Sequence, residues 1–264
     1  MSVFPSLDSA PLPGGPMPEG QGHDTLFQRT LWATALVLAL VVGASVIGWA
    51  LGGAPEWLGI RPRQPLGWVG IVSTVFVHAD LEHLAANALG LGVGVFILLA
   101  IYPTVALRVM LWVVLVGGLG VYVFGRCCVH IGASGLIYGI EAFLLVSGLV
   151  RLDKGAIAVA LIVVFLSPGL LWGMTPLQPV GTSWEGHLYG GLAGALLALR
   201  YRRYDRPAPV RYSWEDEHDT PDEDNPEPLL PTDMQSPNER ILRVWRMSST
   251  APSPPPHEPP PPAG

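Results

Sequence analysis

Three short motifs place residues that could perform acyl transfer at the starts of three apolar segments. His83 and Asn87 bound the first motif, His-Leu-Ala-Ala-Asn. Ser134 lies in Gly-Ala-Ser-Gly in the second motif, and His187 opens the third, His-Leu-Tyr-Gly. Serine supplies a nucleophile, histidine a general base, and amide or imidazole N–H groups donate hydrogen bonds to an oxyanion. Together these residues are the parts of a site for acyl transfer.

Six apolar segments would position these motifs. A helix needs about 20 apolar residues to cross the hydrocarbon core of a bilayer. By that measure we predict spans at about 31–52, 82–102, 104–125, 132–150, 155–172 and 185–202. Successive spans run in opposite directions, so the starts of spans two, four and six lie on one side of the membrane. The three motifs are therefore predicted to converge. The shorter apolar stretch 68–77 is expected to lie in the membrane interface.

Composition supports a membrane domain with two polar tails. Half of the residues are hydrophobic and 14% are charged, against about 25% in a soluble domain. We expect disordered tails at 1–29 and 204–264, the second acidic and proline-rich, around a membrane domain at 30–203. The net charge of −6 comes mostly from the C-terminal tail and does not indicate a nucleic-acid partner. The predicted fold class is all-α and polytopic.

Basic residues in the short loops predict the orientation, because Lys and Arg flanking a span favour the cytoplasmic side. With both termini inside, more basic residues flank the cytoplasmic ends than the outer ends. The cytoplasmic set is Arg29, Arg108, Arg151, Lys154, Arg200, Arg202 and Arg203, and the outer set is Arg61, Arg63 and Arg126. The three motifs would then face the outside. The high content of Arg, Gly, Ala and Pro is compatible with a GC-rich bacterial genome, so the expected location is a bacterial cell membrane.

The ordered motifs resemble the signature of rhomboid intramembrane proteases: His-x-x-x-Asn on span two, Gly-x-Ser-Gly on span four and His-x-x-Gly-x-x-x-Gly on span six. The resemblance covers about residues 30–203. It implies a six-transmembrane-helix bundle in the lipid bilayer that cleaves the transmembrane helices of membrane protein substrates. It implies neither a cofactor nor a metal.

The resemblance also implies a role for each motif residue. His187 would take the proton from Ser134 as the serine attacks a peptide carbonyl, and would return it to the leaving amine. His83, Asn87 and the backbone N–H of Ser134 would bind the oxyanion. Read without the resemblance, Asn87 could merely join two helices and His83 could be a solvated interface residue. Because the chemistry needs water, a polar cavity is expected beside the serine.

Five further residues are predicted to support this site. Gly132 and Gly135 allow a tight backbone turn beside the serine. Gly190 and Gly194 repeat at four-residue spacing on span six, and small residues at that spacing let helices approach closely, here spans six and four. Tyr138 resembles the tyrosine that stacks on the catalytic imidazole in this family.

Neither of two aspartates, Asp80 and Asp153, is predicted to complete a triad. Asp80 is expected to cap the second helix, and Asp153 lies in a loop on the opposite side of the membrane, so we predict a Ser–His dyad. Glu141 falls on the same helical face as Ser134 but about 10 Å deeper. We expect its carboxyl group to be hydrogen-bonded inside the protein.

The remaining polar residues of the membrane domain receive simpler interpretations. Hydroxyl groups in membrane helices commonly bond to the preceding turn, which we expect of Ser45, Ser147 and Ser167. His78 and His130 are interpreted as loop residues. The adjacent pair Cys127 and Cys128 is not expected to form a disulfide, because neighbouring cysteines rarely reach relaxed geometry.

Other functions are less well supported by the sequence. An inactive rhomboid-like protein that binds membrane clients would typically lack the serine or the histidine, and this chain has both. A haem or quinone protein would place paired histidines at two depths, whereas His83 and His187 are predicted at one depth. A zinc protease would show His-Glu-x-x-His and an aspartyl protease two aspartates within spans. A transporter would show internal repeats and broken helices.

Overall fold

The computed structural model describes residues 19–53 and 55–207. Regular structure in this part of the chain is helical, apart from one isolated bridge between Ile60 and His130. Its longer helices are α1 (Glu19–Ala50), α2 (Leu81–Ile101), α3 (Ala106–Phe124), α4 (Ser134–Arg151), α5 (Lys154–Leu166) and α6 (Trp184–Tyr201). The predicted all-α class is confirmed for these residues.

Four of these helices are long and apolar enough to cross a membrane: Thr25–Ala50 within α1, and the whole of α2, α3 and α4. Helix α5 has only 13 residues. Helix α6 contains glycines and charged residues, including Glu185 and Arg200, and does not meet the same criterion. The chain is therefore a polytopic helical membrane protein, and the count of six spans stays a prediction.

Two predicted boundaries are wrong. Helix α1 begins at Glu19, so the helical domain starts well before residue 30; hydropathy misses the polar first turns of a helix that extends beyond its apolar part. Helix α5 ends at Leu166 rather than near residue 172, because Pro168 disfavours a helical conformation at Ser167. Ser167 has φ −125° and ψ 60°, and a separate short helix follows at Leu170–Gly173.

The two predicted tails fall largely beyond the residues that the structure describes. Residues 1–18 and 208–264 lie outside the described ranges, and so does a short amphipathic helix predicted around 239–247.

Side-chain caps fix the starts of three helices. The Asp80 carboxylate accepts a hydrogen bond from the His83 backbone N–H at 2.8 Å, which confirms the predicted cap of α2. Asp153 caps α5 in the same way at 2.9 Å from the Ala156 nitrogen. The Ser183 hydroxyl accepts from the Gly186 N–H at the start of α6. Such a cap stabilises a helix by about 1 kcal/mol.

Helix α4 lies at the centre of the bundle and contacts α2, α5 and α6, with its most extensive contact against α6. A side chain at Gly190 would overlap the Gly135 carbonyl, and one at Gly194 would overlap the Gly139 carbonyl. The two helices therefore meet backbone to backbone, as the glycine spacing predicts.

The connection between α1 and α2 packs over the Ser134 end of the bundle. Its apolar part forms short helices at Gly67–Phe76, and Ile71 lies against Gly118 of α3. Ile60 and His130 exchange backbone hydrogen bonds of 2.9 Å, which joins this connection to the loop before α4.

Candidate active site

The backbone before α4 presents Ser134 at the end of a tight turn. Ser134 is the first residue of α4. Gly132 has φ +104°, a conformation that favours glycine, and its N–H donates to the Thr74 carbonyl at 3.1 Å. The first N–H groups of a helix have no partner within the helix, and they carry the positive end of its dipole. Negative charge that develops beside Ser134 would therefore be stabilised.

The side chains of Ser134 and His187 are in hydrogen-bond contact. His187 Nε2 lies 3.0 Å from Ser134 Oγ, and His187 Nδ1 lies 2.9 Å from the Gly173 carbonyl oxygen. A carbonyl oxygen only accepts, so the proton of the neutral imidazole is on Nδ1. Nε2 is then the acceptor, and the Ser134 hydroxyl donates to it. This tautomer is the one that a general base needs.

Tyr138 holds the imidazole from one face. Its ring stacks on the His187 ring with 4.0 Å between centroids and 3° between planes. A side chain at Gly173 would overlap the Tyr138 hydroxyl, so the short helix Leu170–Gly173 lies directly against this tyrosine. His187 itself is 8% exposed. The imidazole orientation is thus fixed by a stacked ring and one backbone acceptor.

His83 and Asn87 flank the turn that leads to the serine. A Cβ atom built on Gly132 would lie 2.6 Å from His83 Nε2 and 3.6 Å from Asn87 Nδ2. Asn87 is 4% exposed, and its amide donates one hydrogen bond to the His83 carbonyl at 2.9 Å. An amide nitrogen has two N–H groups, so one remains for a ligand. The Asn87 amide and the His83 imidazole therefore both lie beside the turn that leads to Ser134.

A cavity of about 550 Å³ joins these side chains. Ser134, His83, Asn87, Tyr138 and His187 all line it, and residues 181–183 form part of its wall. Its size is typical of a ligand-binding pocket. The cavity expected beside the serine is present.

His78 supports His83 from the protein interior. It is fully buried, its Nδ1 lies 2.9 Å from the Ser45 hydroxyl, and its ring meets the His83 ring edge to face at 5.0 Å. Burial, with a smaller effect of His83, lowers the pKa of His78 to about 4, so this ring is neutral at pH 7. Its place in a loop was predicted; its burial was not.

His130 joins the loop before α4 to the start of α6. Its Nε2 lies 3.2 Å from the Arg126 carbonyl and therefore carries the proton, so Nδ1 accepts from the Ser183 hydroxyl at 2.7 Å. Burial lowers the pKa of His130, which favours this neutral state. Because Ser183 caps α6, His130 helps to position the helix that carries His187.

An ion pair joins the same two segments. Arg126 Nη2 lies 2.9 Å from Glu185 Oε2, and its Nε contacts the other carboxylate oxygen. The Glu185 side chain is 3% exposed, whereas that of Arg126 is 52% exposed. Arg126 also donates to the Thr182 carbonyl. Sequence reasoning missed this pair because the two residues lie 59 positions apart.

Neither Asp153 nor Glu141 hydrogen-bonds to Ser134 or His187. Asp153 pairs with Arg151 at 2.8 Å and caps α5. The Glu141 carboxylate accepts a hydrogen bond from Ser167 at 2.6 Å, as expected of a group bonded internally, but Ser167 therefore does not bond to its preceding turn. Ser45 does, to the Val41 carbonyl.

Among the described residues, no three His, Cys, Asp or Glu side chains are grouped to hold a metal ion. Cys127 and Cys128 are free thiols at the surface.

Comparison with protein families matches residues 65–204 to the Rhomboid domain. Among curated proteins, the chain is 35% identical over 181 residues to the uncharacterized protein Rv1337 of Mycobacterium tuberculosis, which covers 65% of this chain and 75% of that protein. The uncharacterized protein Mb1372 of Mycobacterium bovis gives the same values. The uncharacterized protein ML1171 of Mycobacterium leprae is 36% identical over 139 residues, 49% of this chain and 54% of that protein.

Proposed function

The chain belongs to the rhomboid family, and from that premise we propose that it is a serine endopeptidase that cleaves the transmembrane helices of other membrane proteins. The observation that carries the proposal is the 3.0 Å contact between Ser134 Oγ and His187 Nε2, with Nδ1 held by the Gly173 carbonyl. This arrangement gives a serine hydroxyl that donates to a correctly protonated base.

In the proposed reaction, Ser134 Oγ attacks the carbonyl carbon of the scissile peptide bond and transfers its proton to His187 Nε2. The resulting oxyanion accepts hydrogen bonds from the His83 imidazole, the free Asn87 N–H and the Ser134 backbone N–H. The C–N bond then breaks as His187 returns the proton to the leaving amine. Water, deprotonated by His187, hydrolyses the acyl-enzyme and restores the serine.

In this proposal the Gly173 carbonyl and Tyr138 do what the acidic residue does in a catalytic triad: they orient the imidazole and stabilise its charged form. The carbonyl fixes the Nδ1–H tautomer and accepts a stronger hydrogen bond when the imidazole becomes charged. The stacked ring stabilises an imidazolium through its π face. Neither group carries a formal charge, so the proposed site works as a dyad.

Substrate helices must open before they can be cut, because the peptide bonds of a helix are shielded by their own hydrogen bonds. We expect single-span clients with glycine, proline or other weak helix formers near their outer membrane boundary. Replacing these residues by leucine should slow cleavage, and equal cleavage of both series would contradict this substrate class.

The proposed membrane topology has six spans, comprising α1 to α6, with both termini in the cytoplasm of a bacterial cell and the cavity open to the outer side. The four long apolar helices support a chain that crosses the membrane several times. The basic residues near the predicted cytoplasmic ends support the orientation.

A serine-reactive fluorophosphonate tests the proposed chemistry directly. The protein should be labelled at Ser134, located by mass spectrometry, and labelling should be lost in Ser134→Ala and in His187→Ala. Ser147→Ala, which removes a serine from the same helix away from the cavity, is the matched control and should label normally. Folded protein that neither labels nor cuts a transmembrane substrate would instead support a client-binding rhomboid-like protein.

A further inference from the structure

A second cavity, of about 320 Å³, lies deeper in the bundle between α2, α4 and α5. Helices α2 and α5 have few contacts with each other, whereas α5 packs closely on α4. The residues beside the opening are exposed, among them Leu89 on α2 (72%) and Leu166 on α5 (55%). The cavity therefore forms a groove that opens sideways at the level of the membrane spans.

The groove is apolar except for one carboxyl group and one hydroxyl group. Glu141 projects from α4 into it, and its Oε1 accepts a hydrogen bond from Ser167 at 2.6 Å. Among the described residues, Glu141 has no other hydrogen-bond partner. A polar carboxyl group facing an apolar groove within a membrane is costly. A ligand that hydrogen-bonds to the second oxygen would offset that cost.

The proposed reaction does not use Glu141. The residue follows Ser134 by two helical turns, so its carboxyl group lies about 10 Å deeper along α4 and cannot reach the scissile bond. However, the groove and the cavity around Ser134 share Ala86 and Gly90 in their walls. A single polypeptide could therefore occupy both at once.

We propose, resting on the proposed function, that Glu141 is a specificity-determining residue for the membrane-embedded part of the substrate helix, which lies against it in this groove. Its free carboxyl oxygen hydrogen-bonds to a polar side chain of that helix, of which asparagine, glutamine and serine have suitable donors. A depth of about 10 Å corresponds to about seven residues of helix, or about three where the chain is extended. The polar residue thus lies about three to seven positions from the cut.

The test uses full-length protein in liposomes and a series of single-span substrates. All share one cleavage sequence in a leucine and alanine helix, and each carries one asparagine between the second and ninth positions on the membrane-embedded side. The wild type should show one favoured position within the expected range, with kcat/KM raised about 3- to 18-fold, the range of hydrogen bonds between membrane helices. Glu141→Leu should give a flat profile, and Glu141→Gln should retain part of the preference.

Glu56→Gln is the matched control, because it removes an exposed carboxylate outside the groove and should keep the wild-type profile. A flat wild-type profile, or an unchanged preference in Glu141→Leu, overturns the proposal. Loss of fluorophosphonate labelling in both Glu141 variants also overturns it, since Glu141 would then affect the reactivity of Ser134 rather than the choice of substrate. If the wild type is labelled but its profile is flat, only the proposed role of Glu141 is overturned. If the wild type is neither labelled nor able to cleave, the proposed function is overturned as well.

Discussion

The side of α4 that faces α6 is closely packed, whereas the side that faces α2 and α5 borders an open groove. On one side α4 meets α6 backbone to backbone at Gly190 and Gly194, and this contact holds Ser134 opposite His187. On the other side the short helix α5 leaves a groove of about 320 Å³, and its outer face is exposed, with Phe165 at 83%. One side of α4 therefore keeps Ser134 and His187 in place, and in our proposal the other side receives the substrate helix.

The two sides are not independent, because the chain that follows α5 on the groove side also orients the His187 imidazole. The chain after α5 supplies the Gly173 carbonyl that accepts from His187. Tyr138 connects the two sides, since its ring stacks on His187 and its hydroxyl lies against Gly173. Substitutions on either side should therefore separate the effects of packing from those of orientation.

The largest effect is expected from Gly190→Ala. The added methyl group would overlap the Gly135 carbonyl and push α6 away from α4. A shift of about 1 Å at the reacting groups costs about 100-fold in rate, so fluorophosphonate labelling of Ser134 should fall by about that factor. Gly43→Ala on α1, where an added Cβ has no neighbour within 4 Å, is the matched control and should label normally.

The ion pair between Arg126 and Glu185 joins the loop before α4 to the start of α6, and its loss should affect chiefly the stability of the protein. Arg126→Gln leaves the buried Glu185 carboxylate without its cation, at a cost of about 2–3 kcal/mol once the exposure of the arginine is considered. Thermal unfolding in detergent micelles should show a lower midpoint. The double variant Arg126→Gln/Glu185→Gln should recover part of the loss. If the double variant is less stable than Arg126→Gln alone, charge burial is not the cause.

Removal of the stacked ring should have a smaller effect. Tyr138→Ala takes away a contact worth about 0.5–1.5 kcal/mol and leaves the imidazole free to rotate, so labelling should fall by roughly 10-fold. Tyr138→Phe keeps the ring and should remain within a few-fold of the wild type. Equal losses in both variants would mean that the hydroxyl against Gly173, rather than the stack, holds His187.

Acid should lower the stability of the folded protein, because His78 is buried in its neutral form. The pKa of His78 is about 4 in the folded protein, against about 6.5 when unfolded. The unfolded chain therefore binds the extra proton first, and stability present above pH 6.5 is lost as the pH falls towards 4. Between pH 7 and pH 5 the loss from this residue is about 2 kcal/mol. The thermal unfolding midpoint should fall over the same pH range, and His78→Gln should make it depend less on pH. If the pH dependence is unchanged in His78→Gln, it arises from other titrating groups.

The helices and their facing sides could be predicted because they follow from local pattern. Apolar length locates α2, α3 and α4 to within a few residues, Asp80 marks a start, and the spacing of Gly190 and Gly194 predicts the contact with α4. The early end of α5 was also readable, since Pro168 disfavours helix at the residue before it. Hydropathy alone extended that helix too far.

The groups that orient the site could not be predicted, because they depend on contacts between distant segments. The acceptor for His187 is the backbone carbonyl of Gly173, which any residue would supply, so its identity carries no signal. His78 and His130 look like loop histidines until the fold buries them. Ser167 bonds to Glu141 only because the helix has already ended there.

The smallest effect on activity is expected from modifying Cys127 and Cys128, which lie at the surface of the loop before α4. Because both thiols are exposed, both are expected to be accessible to alkylation. Labelling of Ser134 by the fluorophosphonate should change less than about two-fold, because neither thiol lines the cavity around Ser134.

The same two cysteines test the orientation. A membrane-impermeant maleimide should react with them in intact cells if this end of the bundle faces outwards. Lys154→Cys in a background with both native cysteines replaced by serine is the matched control at the opposite end and should react only after lysis. The reverse pattern would invert the proposed orientation, whereas a large loss of Ser134 labelling would show that this loop is less rigid than its contacts through Arg126 and His130 imply.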